Sequence, residues 1–522
     1  MNKNLLLLII LCFGLQLSGQ FITEGGDTLY GNEWINFEQD YYKIPVAEDG
    51  IYRISLSQLQ DAGLPVNSIE GENFQMFHNG KLHPIYLSTD GMLGDNDFVE
   101  FYGRKNRGEL DEVFYEDPER MQLNPEYSLF TDTAAYFLTW KEGNNNLRVT
   151  EMENAGINGP FEEFYMHKER VVFNERVHKP TRNGSDNVRF SKFDVGEGFG
   201  SSLRKRNRVN VPASEFIVGE VYAKVDIRFT TNSTAHQINF SINGDVKELW
   251  EHSGYAVRQE SVSFPSSELR TSNRIELEGQ VDNFDRNVVA YVDLSYPREF
   301  DFEGLPYFEF YMEASSNMKS IEISDFDGGQ NAIIYDASTG SRIKGEEVGG
   351  TYRFEIPGSS EGRYLIAYNE VEGVNSVDTI QQMDFVDYGL MDGEFIIISQ
   401  TKLIGGSGSK VREYAAYRAS QAGGGFNSVV IDVEDLYEQF SYGIHRHSYS
   451  IKNFVNWAAR NWSDPQYIFI LAKGREYGVY RTEEQITDPV HNTFYVPTFG
   501  MPGSDNYLTS EGIGSTAHVI PT

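Results

Sequence analysis

At 522 residues the chain is long enough for about three or four domains, and its formal charge of −33, from 77 Asp and Glu against 44 Lys and Arg, excludes a phosphate backbone as a favourable partner. Aromatic residues make up 14% of the sequence and hydrophobic residues 40%, which excludes a disordered chain and suits β-rich domains whose pleated faces accept large rings. Met1 to Gln20 combines a basic Lys3, the apolar run Leu5 to Phe13 and the small-residue context Leu17-Ser18-Gly19. This is the order of a secretory signal peptide, and the run is too short to remain as a spanning helix. Cys12 is the only cysteine and lies inside that run, with Leu11 where lipidation would need a small residue. The mature chain is therefore expected to be exported and to carry no thiol, disulfide or Cys-ligated metal.

Residues 21–152 read as a small β domain. Short strands such as YYKIPV, GIYRISL, FQMFHNG, DFVEFYG and AAYFLTW alternate with turns, Asn79-Gly80 is a hairpin signal, and Ser55 to Gly63 reads as one short helix. Asp95, Asp97 and Glu100 form an oxygen cluster without EF-hand spacing and read as a polar hairpin tip. Residues 153–212 read as an irregular connector with a helix over Phe161 to Val177. Its basic cluster of Arg204, Lys205, Arg206 and Arg208 reads as a solvated loop.

Residues 213–300 carry the clearest strand pattern. Val221, Ala223, Val225, Ile227 and Phe229 alternate with Tyr222, Lys224, Asp226 and Arg228, and Ile238, Phe240 and Ile242 repeat the period before Asn243-Gly244. Further strands at Ile275 with Leu277 and at Ala290, Val292 and Leu294 predict a jelly-roll-like or immunoglobulin-like sandwich. Residues 301–392 form a second β domain through FEFYM, SIEISDF, AIIYDA, YRFEIP and RYLIAY, and Asp325-Phe326-Asp327-Gly328 reads as a turn rather than a metal site.

At residues 393–522 the period changes. Phe395-Ile396-Ile397-Ile398 has no alternation and reads as a strand buried on both faces. A helix over Ser409 to Ala422, with Val411, Tyr414, Ala415, Ala419 and Ala422 on one stripe, ends at Gly423-Gly424-Gly425. A strand over Ser428 to Val433 follows, then a helix capped by Ser448 or Ser450 that buries Ile451, Phe454, Val455 and Ala458, then the strand YIFIL after Pro465. Parallel strands with helical crossovers make the first half of an open α/β sheet, whose crevice lies at the carboxyl ends of the strands.

The order FIIISQ, helix, VVIDVEDLYEQFSYGI, SIKNFVNWA, YIFILAKG and VPTFGMPGSDNYL resembles the gingipain-type cysteine peptidases, among them the PorU-like sortases of bacterial type IX secretion. Tyr437, Phe440, Gly443 and Ile451-Lys452-Asn453-Phe454 fall where that family has its second-strand exit and second helix, and Val496-Pro497-Thr498 with Ser504-Asp505 where it has a VPT…SD segment. FYGRKNRGELDE, YSLFTDTAAYFLTW and Tyr296-Pro297-Arg298 are similar to upstream parts of PorU-like chains. Where the family has a Gly-Asp pair this chain has Ala472-Lys473-Gly474-Arg475.

The resemblance implies a multidomain protein in which a β-sandwich-rich amino-terminal region precedes the first half of a caspase-like α/β domain. It implies an exported cysteine endopeptidase or transpeptidase at the outer-membrane surface or outside the cell, acting on protein or peptide substrates beside other secretion components, with its catalytic His and Cys beyond Thr522. On that reading these 522 residues alone are inactive. The alternative is a non-catalytic exported β-sandwich surface or binding protein. No residue here is assigned a catalytic, cofactor-binding or metal role. His445 and His447 are loop histidines without an acidic third partner in sequence, His491 and His518 have no nucleophile to activate, and Ser399 lacks a nucleophile-elbow context. The β domains are expected to pack on the α/β part yet to be separable from it in stability.

Overall fold

The computed structural model describes residues 21–22, 28–143, 146–154, 159–179, 192–232, 235–481, 496–500, 503–510 and 518–520. The expected signal peptide over Met1 to Gln20, with Cys12, and His491 lie outside them.

The first β domain pairs two sheets. One runs in the order 381–383, 41–46, 134–140, 74–78, 81–83, the other 375–376, 50–55, 98–103, 86–87. Tyr42, Ile44, Ile54, Phe74, Met76, Val99 and Leu138 point inward between them, so alternation along each strand supplies the core. Ser55 caps the short helix Leu56–Asp61 with a capping box to Gln58. Two strands of this domain, Asn375–Ser376 and Gln381–Met383, come from the far end of the segment expected to form the second β domain.

The sandwich has two four-stranded antiparallel sheets, ordered 165–172, 287–298, 222–231, 257–265 and 206–212, 272–279, 235–242, 245–253. Ala223, Val225, Ile227 and Phe229 are fully buried against Ile238, Phe240, Ile275 and Leu277. The expected helix over Phe161 to Val177 is instead the strand Tyr165–Val172, and part of the expected connector is the strand Arg206–Pro212. Pairing overrides the ambiguous local pattern: Arg170 sits opposite Asp293 in register and holds its carboxylate with two bonds of 2.6 Å. The basic cluster lies at the start of that strand, where Arg206 and Arg208 pair with Glu276 and Glu278 across to 272–279.

The second β region adds a sheet ordered 150–152, 341–344, 332–336, 363–369, 307–312 and another ordered 301–305, 319–326, 351–356, 346–348, around Phe302, Phe310, Ile323, Ile334 and Phe354. Arg298 of Tyr-Pro-Arg is buried. It donates to Ser214 Oγ at 3.0 Å and to the Asp301 carbonyl at 2.9 Å, joining sandwich to second β region.

In the α/β part, β1 (Phe395–Ser399) is central, with β2 (Ser428–Asp432) and β3 (Tyr467–Ile470) parallel on either side. The connecting helices are α1 (Thr401–Ile404), α2 (Lys410–Ala419), α3 (Val433–Phe440) and α4 (Tyr449–Asn461). α2 stops before the expected end because Ser420 turns extended, and the glycines close a following turn in which Gly424 has φ 113°. α3 was not expected. Asp432 caps it by accepting from the Glu434 N–H at 3.1 Å, and Val433, Leu436, Tyr437 and Phe440 form its buried stripe. Ser448 occupies the N-cap position of α4 without making a side-chain cap, while Ile451, Phe454, Val455 and Ala458 are buried as expected.

One face of this sheet shares a core with the β region. Ile396, Ile398, Ile431 and Phe454 belong to the same buried cluster as Phe114, Phe130, Phe193 and Phe199. The β domains do pack on the α/β part, and the shared core argues against separable stability. Gly443, at φ 78°, lets the α3–α4 turn lie against the first domain, because a side chain there would meet Ala135 and Phe137 within 3 Å.

Candidate functional site

In a parallel sheet the free backbone ends and the loops that can carry chemistry gather at the carboxyl ends of the strands. Here that edge is formed by Ser399, Asp432 and Ile470 with the residues that follow them. Ser399 is fully buried and donates through Oγ to the Leu471 carbonyl at 2.7 Å, tying β1 to the exit of β3.

Beside β2, Gln400 donates to Glu434 at 3.2 Å and Thr401 to Asp432 at 2.5 Å. His445 Nε2 lies 3.0 Å from Glu434, on an exposed part of the edge. Burial alone would raise the Glu434 carboxyl pKa, but hydrogen bonds from His445 and Gln400 leave it below the ordinary value. The neighbouring Asp435 goes the other way. Burial first, and then the like charges of Asp432, Asp384, Glu434 and Glu438, push it up to about 7.

The expectation that the two loop histidines lack acidic partners is corrected: His445 has Glu434, and His447 Nε2 lies 3.1 Å from Asp111. The signal was missed because Asp111 is distant in sequence and Glu434 sits on a helix that was not expected. His447 is fully buried, packed on Phe130 at 4.4 Å and Phe114 at 5.1 Å, so it joins the β region to the α/β part and has no access to a substrate. His518 shares a hydrogen bond of 2.8 Å with Thr509.

The residues quoted for the family resemblance are largely architectural. Lys452 is buried and donates to the carbonyls of Ser510 at 2.6 Å and Tyr507 at 3.3 Å, clipping α4 to the segment that carries Ser504-Asp505. Burial without a carboxylate partner lowers its pKa to about 7. Asn453 donates to the Phe440 carbonyl at 2.9 Å and fixes α4 on α3. Gly474–Arg475 pairs in parallel with Val496–Pro497, which joins the departing loop to the VPT segment.

On the β3 side of the edge, a cleft of about 530 Å³ opens between β3 and the turn leading into α2. Leu403, Val411 and Leu471 supply its apolar wall, and Lys402, Lys410 and Lys473 its charged one. Asp97, from the upstream acidic cluster, accepts from Ser88 and Gly94, whereas Glu100 is buried against Arg53 and Tyr368. Among the described residues no group of three or more His, Cys, Asp or Glu is arranged to hold a metal ion, and no helix is long and apolar enough to cross a membrane.

A docked parallel sheet with this strand order and a cleft at its carboxyl edge sits where a family match falls. Residues 390–512 match the model of peptidase family C25. Over those residues the α/β segment is similar to the gingipain-type cysteine peptidases. The structure of dimeric latent PorU from Porphyromonas gingivalis superposes with a TM-score of 0.59 at 13% identity, covering 88% of this chain. That match fixes the fold: a strand-rich amino-terminal region followed by the gingipain α/β arrangement. The chain spans 44% of the PorU chain. A CBM36-1 domain of a xylanase from the hindgut metagenome of Trinervitermes trinervoides and a family 35 carbohydrate binding module from Clostridium thermocellum also align. They cover 24% and 26% of this chain and 95% and 98% of their own, at 12% and 10% identity, and their TM-scores of 0.16 carry no argument. None of the curated proteins matches the chain in sequence.

Proposed function

We propose that the chain belongs to an exported gingipain-type cysteine peptidase or transpeptidase that processes secreted proteins in a type IX secretion pathway. The observation that carries this reading is the C25 match over 390–512 on an α/β segment docked to β domains in the PorU arrangement. In such a mechanism a thiolate attacks the scissile carbonyl to form a thioester. A histidine takes the thiol proton and returns it to the leaving amine, and water or a second amine then releases the acyl group. Cys12 is the only cysteine of the 522 residues, so the thiol is assigned to the reading frame after Thr522, and the family resemblance assigns its histidine to the same region. The leader would route the protein across the inner membrane, towards the outer-membrane surface or the medium. Its partners are then a protein or peptide substrate and other components of the secretion machinery.

The test compares the 522-residue protein with the product of the whole reading frame on a fluorogenic peptide library, with and without a thiol-alkylating reagent. The expected outcome is alkylation-sensitive hydrolysis by the longer product and none by the shorter. Hydrolysis by the 522 residues, or full activity after replacing the first downstream cysteine by alanine, overturns it.

A further inference from the structure

The cleft between β3 and the start of α2 is a cationic concavity on a strongly acidic protein. Lys402, Lys410 and Lys473 line it and all three are exposed, while the whole chain has a formal charge of −33. Lys410 pairs with Glu413 on its own helix at 2.7 Å. Among the described residues the ammonium groups of Lys402 and Lys473 make no ion pair. Three like charges around one hollow repel each other, and an anion placed between them removes that repulsion.

The backbone favours the same sign of ligand. Gly406 and Gly408, at φ 84° and 85°, form the turn between α1 and α2, with nothing within 4 Å of the space where a side chain would stand. The turn leads directly into the first residues of α2, whose N-terminal N–H groups contribute positive potential at the cleft wall. The remaining wall is aliphatic, from Leu403, Val411 and Leu471. A bare inorganic oxyanion would leave that wall wet. A carboxylate at the end of a short methylene stem uses both surfaces.

We propose that this cleft binds a carboxylate-bearing segment of a peptide, with the stem of an acidic residue on the Leu403–Val411–Leu471 wall and its carboxylate among Lys402, Lys410 and Lys473. The assignment rests on the peptide-processing reading and adds to it a preference for acidic sequence near the carboxyl edge of the sheet. Because all three lysines are exposed, reversing their charge leaves the buried core untouched.

The experiment uses the whole 522-residue protein and a fluorescent hexapeptide of alternating Glu and Leu, read by anisotropy at low and high salt. A Gln-for-Glu peptide and inorganic phosphate serve as comparison and competitor. The acidic peptide is expected to bind about tenfold or more tighter than the Gln peptide, with affinity falling as salt rises. The double variant Lys402→Glu, Lys473→Glu is expected to lose about tenfold or more of that affinity with an unchanged melting temperature. Equal binding of the two peptides, retention of affinity in the double variant, or complete displacement by millimolar phosphate overturns the proposal. Cleavage is not part of the readout, so absent peptidase activity in the longer product refutes only the peptidase reading. Lost acidic preference with intact activity refutes only this one.

Discussion

Replacing Phe114 by alanine tests whether the β region and the α/β part are one structural unit. The ring is fully buried and contacts Phe130 and Phe193 from the β side and Tyr449, Phe499 and Tyr507 from the α/β side, with centroids between 5.3 and 6.4 Å. It also stacks on His447, which itself reaches back to Asp111. Truncating a fully buried Phe costs about 3–5 kcal/mol, the upper part applying where neighbours are held from two sides and cannot collapse into the hole. We therefore expect a loss of about 4 kcal/mol in chemical denaturation. Hydrogen exchange is expected to accelerate together in the strand 134–140, in β1 and in α4. A loss below about 1 kcal/mol, or faster exchange confined to residues near Phe114, would refute a shared core, since one buried joint cannot fail on one side alone.

The two histidines of the α3–α4 turn should separate by burial: His447→Ala leaves the buried Asp111 carboxylate with the Leu129 N–H but without its side-chain partner and is expected to cost about 3 kcal/mol, whereas His445→Ala, which breaks an exposed pair, should cost under about 1 kcal/mol in the same denaturation assay. Asp435 keeps its proton in the fold up to about pH 7 but releases it near its ordinary value when unfolded, so stability falls as pH rises between those values. Asp435→Asn should stabilise by about 1–2 kcal/mol above pH 7, allowing for solvent screening, and change nothing near pH 3; equal effects at both ends would contradict the assignment. Lys452 has the opposite slope, because its ammonium is opposed by burial and the penalty is relieved as pH rises from about 7 towards 10. Melting curves of Lys452→Met across that range should lack the rise, and an unchanged slope would mean that the lysine is not desolvated.

Strand periodicity made most of the fold legible. Ala223 to Phe229 and Phe395 to Ile398 declare a half-buried and a fully buried strand through side-chain pattern alone, and the structure places both so. The pattern failed where pairing decides. Tyr165 to Val172 mixes charge and apolar residues at no clean period, and only the opposite Asp293 makes its Arg170 a strand residue. α3 was legible in principle, since an Asp cap precedes apolar residues at Val433, Leu436, Tyr437 and Phe440, but Val433 also continues the β-branched run Val429-Val430-Ile431 of the strand before it. The carboxyl-edge cleft was invisible because its lysines come from three separate places, Lys402 in α1, Lys410 at the start of α2 and Lys473 in the segment after β3. Likewise the Asp111–His447 contact spans two domains, and nothing local to either residue announces it.

The return of Asn375–Ser376 and Gln381–Met383 to the first β domain has a consequence for how the protein acquires its shape. Lys43 pairs with Gln381, so a sheet begun near the amino terminus is closed by a strand more than three hundred residues later. Closing so long a loop is slow relative to local hairpins, although each doubling of its length adds only about 0.6 kcal/mol. In a chain that emerges amino terminus first, the strand Tyr41–Val46 therefore keeps an open edge while the sandwich and the second β region fold. The last pieces fitted to the first domain are also the last before β1, so the α/β sheet forms against a surface that has only just been completed.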